Sequence, residues 1–168
     1  LEALTMATKI AVMRDGLIEQ VSSPHDIFAK PNNIFVAGFI GTPQMNILDC
    51  NINEINSSII KLNVLNQEVE IDFKNPLSVN KNDNYFIGIR PRSFELVDNS
   101  APDNFSGKID LIENMGSEIL VHIKINEFTF RSVQSRSYKL KIGDTINLKP
   151  KQGQVHLFNS DGKVIRNE

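Results

Sequence analysis

After Pro43 the sequence breaks into short apolar or alternating runs separated by turn-forming residues, and this punctuation confines most of the chain to antiparallel β structure. Eleven runs follow in order: ILDCNINEI, SIIKLNVL, QEVEIDF, NYFIGIR, SFELVD, GKIDLIE, EILVHIKI, EFTFRSV, DTINLKP, QVHLF and KVI. A period of two sends alternate side chains into a core and into water, and no stretch here keeps a helical period beyond a turn or two. Strands this short and numerous predict small antiparallel barrels rather than a sandwich of long strands. Pro91, Pro102 and Pro150 fall at run boundaries or in loops, where a missing N–H leaves the ladder intact. Asp98 to Asn104, DNSAPDN, reads as a linker and divides the β region into lobes of about 42–98 and 105–168. Each lobe alone would bury a modest core, so the two are expected to pack together.

The first 41 residues follow another pattern. LEALTMATK places Leu1, Leu4 and Ala7 at helical spacing, yet no capping residue or turn precedes them, so the chain reads as a fragment beginning inside a helix. In KIAVMRDGLIEQV, the Asp15-Gly16 pair between two apolar runs predicts a hairpin. Ser22-Ser23-Pro24 then offers an N-cap with proline in the first turn, opening a helix over PHDIFAK that Pro31 closes. A second short helix is expected from Asn33 to Ile40, with Ile34, Ala37, Phe39 and Ile40 largely on one side.

Composition narrows the function classes. No apolar run approaches the roughly 20 residues that a membrane-crossing helix needs, and no basic stretch leads into an apolar core at the N-terminus, so a cytoplasmic setting is the default expectation. One cysteine, Cys50, cannot make an intrachain disulfide. A net charge of −2 speaks against nucleic acid as the main partner. Asn is abundant enough that individual asparagines carry no weight as turn formers.

VAGFIGTPQMN, Val36 to Asn46, has the glycine spacing of a phosphate loop but not its chemistry. A Walker-type loop needs a Lys for the β and γ phosphates and amides aimed inward, whereas this stretch has no Lys and Pro43 removes an amide. The mechanical reading fits: Gly38 for close helix packing, Gly41 for a left-handed helix end, Pro43 for a stiff exit. Among other candidates, His25, His122 and His156 have no metal-ligand spacing with each other or with Cys50. Ser117 lacks a nucleophile elbow and reads as a turn. Glu68 and Glu70 share a strand face and are expected to point to water. EFTFRSVQSRSYKLK, with Phe128, Phe130, Arg131, Arg136, Tyr138, Lys139 and Lys141, is where nucleic-acid binding would sit; otherwise the phenylalanines fill the core and the cations coat a solvated edge.

These stretches together resemble the C-terminal part of the ATP-binding subunit of ABC importers of the maltose, multiple-sugar and glycerol-3-phosphate type. KIAVMRDGLIEQVSSPHDIFAKPNNIFVAGFIGTPQMN resembles the end of the nucleotide-binding domain, with the family's FVAxFIGxPxMN signature intact. GIRPRSFEL, ENMGSEILV, KIGDTINLKP and QVHLFNSDGKVI resemble four further motifs in the family's order. Arg92 stands where the family usually has Glu, which puts any ion pair beside Arg90-Pro91 in question, and Asn159 replaces a common Asp.

The resemblance implies a mainly β chain: a nucleotide-binding-domain remnant at 1–41, then a regulatory domain at 42–168 built of two OB-like (TOBE/MOP-like) barrels. It implies that the phosphate loop, signature motif, catalytic Glu and switch His lie upstream of Leu1, so that ATP and magnesium belong to the parent subunit and this segment holds no catalytic, cofactor or metal site. The implied partners are a second copy of the subunit, permease subunits through the parent's other domain, and a regulatory protein, at the inner face of the membrane and without nucleic acid. Gly38, Gly41, Pro43, Met45 and Asn46 form the implied interdomain linker, while Gly88, Ile89, Arg90, Pro91, Asn114, Met115, Gly116, Ser117 and Glu118 are the implied dimer or regulatory contacts. Having lost its sheet, the remnant is expected to exchange amide hydrogens faster than the barrels or to pair with another chain. A tandem-barrel domain sensing an oxyanion or another small ligand, with Asn114 to Ser117 as a nest of amides for an anion, and an OB-fold nucleic-acid-binding module are the alternatives.

Overall fold

The computed structural model of the chain describes residues 6–81, 83–98 and 103–166. The first five residues of the expected opening helix and residues 99–102 of the expected linker lie outside that set. Strands β1 (Ile10–Arg14) and β2 (Leu17–Ser22) form the hairpin, with Asp15 and Gly16 at φ 51° and 79° between them, as a tight turn of this hand requires. Helix α1 (Pro24–Ala29) starts where Ser23 Oγ accepts from the Asp26 N–H at 3.1 Å. Helix α2 (Ile34–Phe39) is capped by Asn33, whose Oδ1 accepts from the Val36 N–H at 2.9 Å. Val12, Ile27, Val36 and Ile40 make a small core for this unit.

All eleven expected runs are strands: β3 (Asn46–Asn56), β4 (Ile59–Val64), β5 (Gln67–Asp72), β6 (Asn84–Ile89), β7 (Phe94–Val97), β8 (Phe105–Met115), β9 (Glu118–Ile125), β10 (Phe128–Ser135), β11 (Thr145–Pro150), β12 (Val155–Asn159) and β13 (Val164–Ile165). Their pairing is antiparallel, in a six-stranded sheet ordered β13-β12-β6-β3-β4-β5 and a five-stranded sheet ordered β10-β9-β8-β11-β7.

The sheets do not follow the expected division into lobes 42–98 and 105–168. β7, from the first stretch, joins the sheet of the second, and β12 and β13, from the second, close the sheet of the first. The reason lies in the core. Phe94 of β7 packs edge-on against Phe130 of β10 with ring centroids 4.8 Å apart, and Phe105 stacks on Phe130 at 5.2 Å, so β7 buries its largest side chain only by crossing over. One continuous core then runs from Leu48 to Leu157 through both sheets. The crossings meet where the Lys151 N–H donates to Ser93 O at 2.9 Å.

Helix α2 lies on the outer face of the six-stranded sheet, where Ala37, Met45 and Phe158 are buried with Ile34, Ile47, Phe86 and Val164 around them. This packing separates two glycines. A Cβ on Gly88 would fall 2.7 Å from Met45 Sδ and 2.8 Å from Phe158 Cε2, whereas one on Gly38 would meet only Ile47 Cδ1 at 3.6 Å, an ordinary contact. Gly38 is therefore not required for close approach, contrary to the sequence expectation. Gly88→Ala is expected to cost about 1–3 kcal/mol by overpacking, and Gly38→Ala, in a helix, to be neutral or stabilising by up to about 1 kcal/mol. Urea unfolding of the two variants separates these outcomes; equal costs would contradict the packing described.

Candidate functional site

The residues expected to form the linker and those of the Gly88 to Pro91 turn converge at one place, the joint between the N-terminal unit and the sheets. At its centre is Arg90, the residue after β6, which is only 5% exposed. The guanidinium donates through Nη1 to Ile40 O at 2.7 Å and through Nε and Nη2 to Phe28 O at 3.2 and 2.6 Å. Its carbon sits 3.7 Å from the centroid of the Phe28 ring. No carboxylate pairs with it among the described residues; burial pulls its pKa down to about 10, and carbonyl dipoles and the aromatic face take the place of a counter-ion. The two carbonyls end α1 and α2, the poles at which a helix favours a cation.

Gly41 makes room for this side chain. At φ +112° it holds a conformation that suits glycine, and a Cβ there would lie 2.8 Å from Arg90 Nη1. Pro43, preceded by a cis peptide, leads into Met45, which seats on Gly88 as described. Asn46 finishes the joint. Its Nδ2 donates to Ile89 O at 3.1 Å and Arg131 O at 2.8 Å, and its Oδ1 accepts from the Arg131 N–H at 2.8 Å, which ties β3 to β10 of the other sheet. Pro91 O accepts from the Val133 N–H at 2.8 Å. The linker is thus a packed joint.

The expected contact residues divide. Gly88, Ile89, Arg90 and Pro91 are buried within the chain, so they meet their own neighbours and present little to another copy. Asn114, Met115, Gly116 and Ser117 are exposed at the β8–β9 turn, with Gly116 at φ +85° and Glu118 beside them. Arg92, opposite in charge to the residue usual in the resembled family, pairs with Glu118, and that hydrogen bond holds the Glu118 carboxyl below its ordinary range. Arg92 thereby links the joint to the exposed turn. Asn159 keeps the role of a turn former, its Oδ1 accepting from the N–H groups of Asp161 at 3.1 Å and Lys163 at 2.9 Å.

A second tether reaches the joint from the C-terminal end. Arg166 Nη2 donates to Pro31 O at 2.6 Å, and the Val164 N–H to Asn32 O at 2.9 Å. His156 is half-buried nearby, on β12. Of the remaining candidates, His122 pairs with Glu113, His25 is exposed on α1, and burial pushes the Cys50 thiol up to about 12, which leaves it unreactive. Phe130 fills the core but Phe128 is 50% exposed, so the expectation that both phenylalanines face inward holds for one of them. Sequence reasoning missed Arg90 as an internal pin. The signal was a lone cation ending the otherwise apolar run NYFIGIR.

Comparison with known proteins bears on this architecture. The TOBE domain family matches residues 87–158. The chain is 32% identical over 99% of its length to the sn-glycerol-3-phosphate import ATP-binding protein of Rhizobium johnstonii, covering 44% of that protein. It is 32% identical over 98% of its length to the maltose/maltodextrin import ATP-binding protein of Vibrio parahaemolyticus, covering 45% of it. Against the trehalose/maltose import ATP-binding protein of Thermococcus litoralis it is 32% identical over 98% of its length and covers 46%. The chain therefore spans less than half the length of these relatives. Among solved structures, a cytoplasmic molybdate-binding protein, ModG, superposes with a TM-score of 0.52 at 13% identity, covering 67% of this chain and 94% of its own. That likeness concerns the fold, and the two sheets are OB-like in this sense.

Burial, and secondarily the charges of Arg90 and Arg166, pulls His156 down from 6.5 to about 4. Between those values the unfolded chain takes up a proton that the folded chain refuses, so the contribution is intact above about pH 6.5 and is lost as the pH falls toward 4. The loss amounts to at most about 3 kcal/mol. Unfolding free energies measured across this window should slope with pH in the native chain and flatten in His156→Gln; an unchanged slope would contradict the assignment.

Proposed function

Since this chain carries a TOBE domain and matches, over nearly its whole length, the C-terminal parts of ATP-binding subunits of sugar and glycerol-3-phosphate importers, we propose that it is the regulatory and dimerising end of such a subunit. The whole-length likeness is the observation that carries this reading. The parent subunit is an ATPase whose phosphate loop, signature motif and magnesium site belong to other parts of it, and this segment acts without binding nucleotide. Its partners are a second copy of the subunit, the permease reached through the parent's nucleotide-binding domain, and a regulatory protein docking on the barrels.

The geometry fits such a division of labour. On the hairpin, Met13, Leu17, Ile18 and Val21 are exposed, Leu17 at 74%, which suits strands that pack against the rest of a nucleotide-binding domain. On the five-stranded sheet, Leu111 and Met115 of β8 are exposed, as are Tyr138 and Ile142 in the segment between β10 and β11. That segment is bound to β8 and its turn by the Gly143 N–H donating to Ile109 O at 2.8 Å and the Arg136 N–H to Ser117 O at 3.1 Å. A surface with this apolar share, rimmed by the Arg92–Glu118 pair, is suited to meeting a second copy of itself.

Sedimentation of the chain over a range of concentrations is expected to show a monomer–dimer equilibrium, and Leu111→Glu with Met115→Glu to shift it to monomer. Association that survives both substitutions would place the contact elsewhere, and a monomer at every concentration would remove dimerisation from the reading.

A further inference from the structure

The outer face of the six-stranded sheet is covered by α2 only in part, and the uncovered part is the floor of a cleft of about 680 Å³. Three asparagines lie in register across it. Asn63 of β4 stands opposite Asn51 of β3, which stands opposite Asn84 of β6, so the three share one face of the sheet; Asp49 and Phe86 form the next row. Directly opposed residues on neighbouring strands hold their side chains within about 5 Å of each other, so the row spans about 10 Å.

Two hairpin turns wall this floor. The β4–β5 turn, at Leu65 and Asn66, is joined to the β9–β10 turn, at Asn126 to Phe128, by Asn126 Nδ2 donating to Leu65 O at 2.7 Å. The cleft is thus set between the two sheets. Phe128, half-exposed, stands on the wall.

The chemistry of the lining selects a class of ligand. The side chains of Asn51, Asn63 and Asn84 make no hydrogen bond among the described residues, and each offers an N–H2 group and a carbonyl oxygen together. Asp49 and Glu127 add acceptors, while no Lys, Arg or His is among the described lining residues. A negative field with no cation repels phosphate, molybdate and nucleic acid. Groups that both donate and accept, arranged beside an aromatic face, suit a neutral molecule carrying many hydroxyls and an apolar C–H face.

We propose that this cleft binds a neutral sugar of one or two rings, with the row Asn63–Asn51–Asn84 and Asp49 holding its hydroxyls and Phe128 lying against its ring. The inference stands on the cleft alone and holds whether or not the chain dimerises. It gives a subunit of this kind a means of sensing sugar on the side of the membrane where the barrels lie.

Titration of the isotope-labelled full chain with maltose, glucose and sucrose, followed by amide NMR, tests this directly. Millimolar sugar is expected to produce saturable shifts at Asn51, Asn63, Asn84 and Phe128, including the side-chain amides. Asn51→Ala and Phe128→Ala, both at exposed positions, should each weaken binding by about tenfold or more while the remaining spectrum stays that of the folded chain. Glycerol 3-phosphate and molybdate serve as charged probes and should leave these signals in place. No saturable shift with any of the three sugars, shifts confined to other surfaces, or equal shifts with the charged probes would each overturn the proposal.

Discussion

The arrangement of this chain depends on one buried cation. Among the described residues no carboxylate meets Arg90 where it leaves water, and the cost of burial is offset by two helix-terminal carbonyls and an aromatic ring that converge on the guanidinium. Each of those groups belongs to the N-terminal unit, whereas Arg90 directly follows β6 in the middle of the larger sheet. The position of α1 and α2 relative to the barrels is therefore set by a fork of hydrogen bonds whose geometry admits little variation. Gly41 has no side chain because the guanidinium occupies that space, and Gly88 has none because Met45 and Phe158 do.

A joint built in this way makes the linker part of the core. Asn46 bonds to both sheets, β7 and β12 each cross between them, and the tail past β13 reaches back to Pro31 and Asn32. Motion imposed on the N-terminal unit would therefore be carried through the joint to the sheets. Exposed apolar residues are found on the hairpin, at Met13, Leu17, Ile18 and Val21, and along β8, at Leu111 and Met115, while at the joint itself Phe28 stays partly exposed over Arg90.

Much of this was legible in the sequence wherever local chemistry decides the outcome. The eleven runs became eleven strands because alternation marks a half-buried strand, and Asp15-Gly16 and Ser23-Pro24 became a tight turn and a helix start for reasons contained within a few residues. Partnership between strands was not legible, since a period of two fixes which face is buried and says nothing of which sheet receives it; this is why β7 and β12 escaped the expected lobes. Arg90 stands among the dimer or regulatory contacts that the family resemblance implies, and nothing local marks it as buried, since an arginine is ordinarily exposed. Giving asparagines no weight also hid information: Asn33 caps a helix, Asn66 and Asn126 hold turns at positive φ, and Asn46 staples the sheets. Their roles depend on neighbours distant in sequence, as does the split between Phe128 and Phe130.

Native-state hydrogen exchange on the chain and on Arg90→Met, which keeps bulk but leaves the carbonyls of Phe28 and Ile40 without their donor, tests the central claim most directly. With Arg90 as the pin, amides of α1 and α2 are protected to the level of β6 in the native chain, in departure from the faster exchange expected for all of residues 1–41, while the hairpin alone exchanges faster; in the variant the helices fall to the hairpin's level with β3 to β5 unchanged. Helices that exchange with the hairpin in the native chain, or that are indifferent to the substitution, would contradict it.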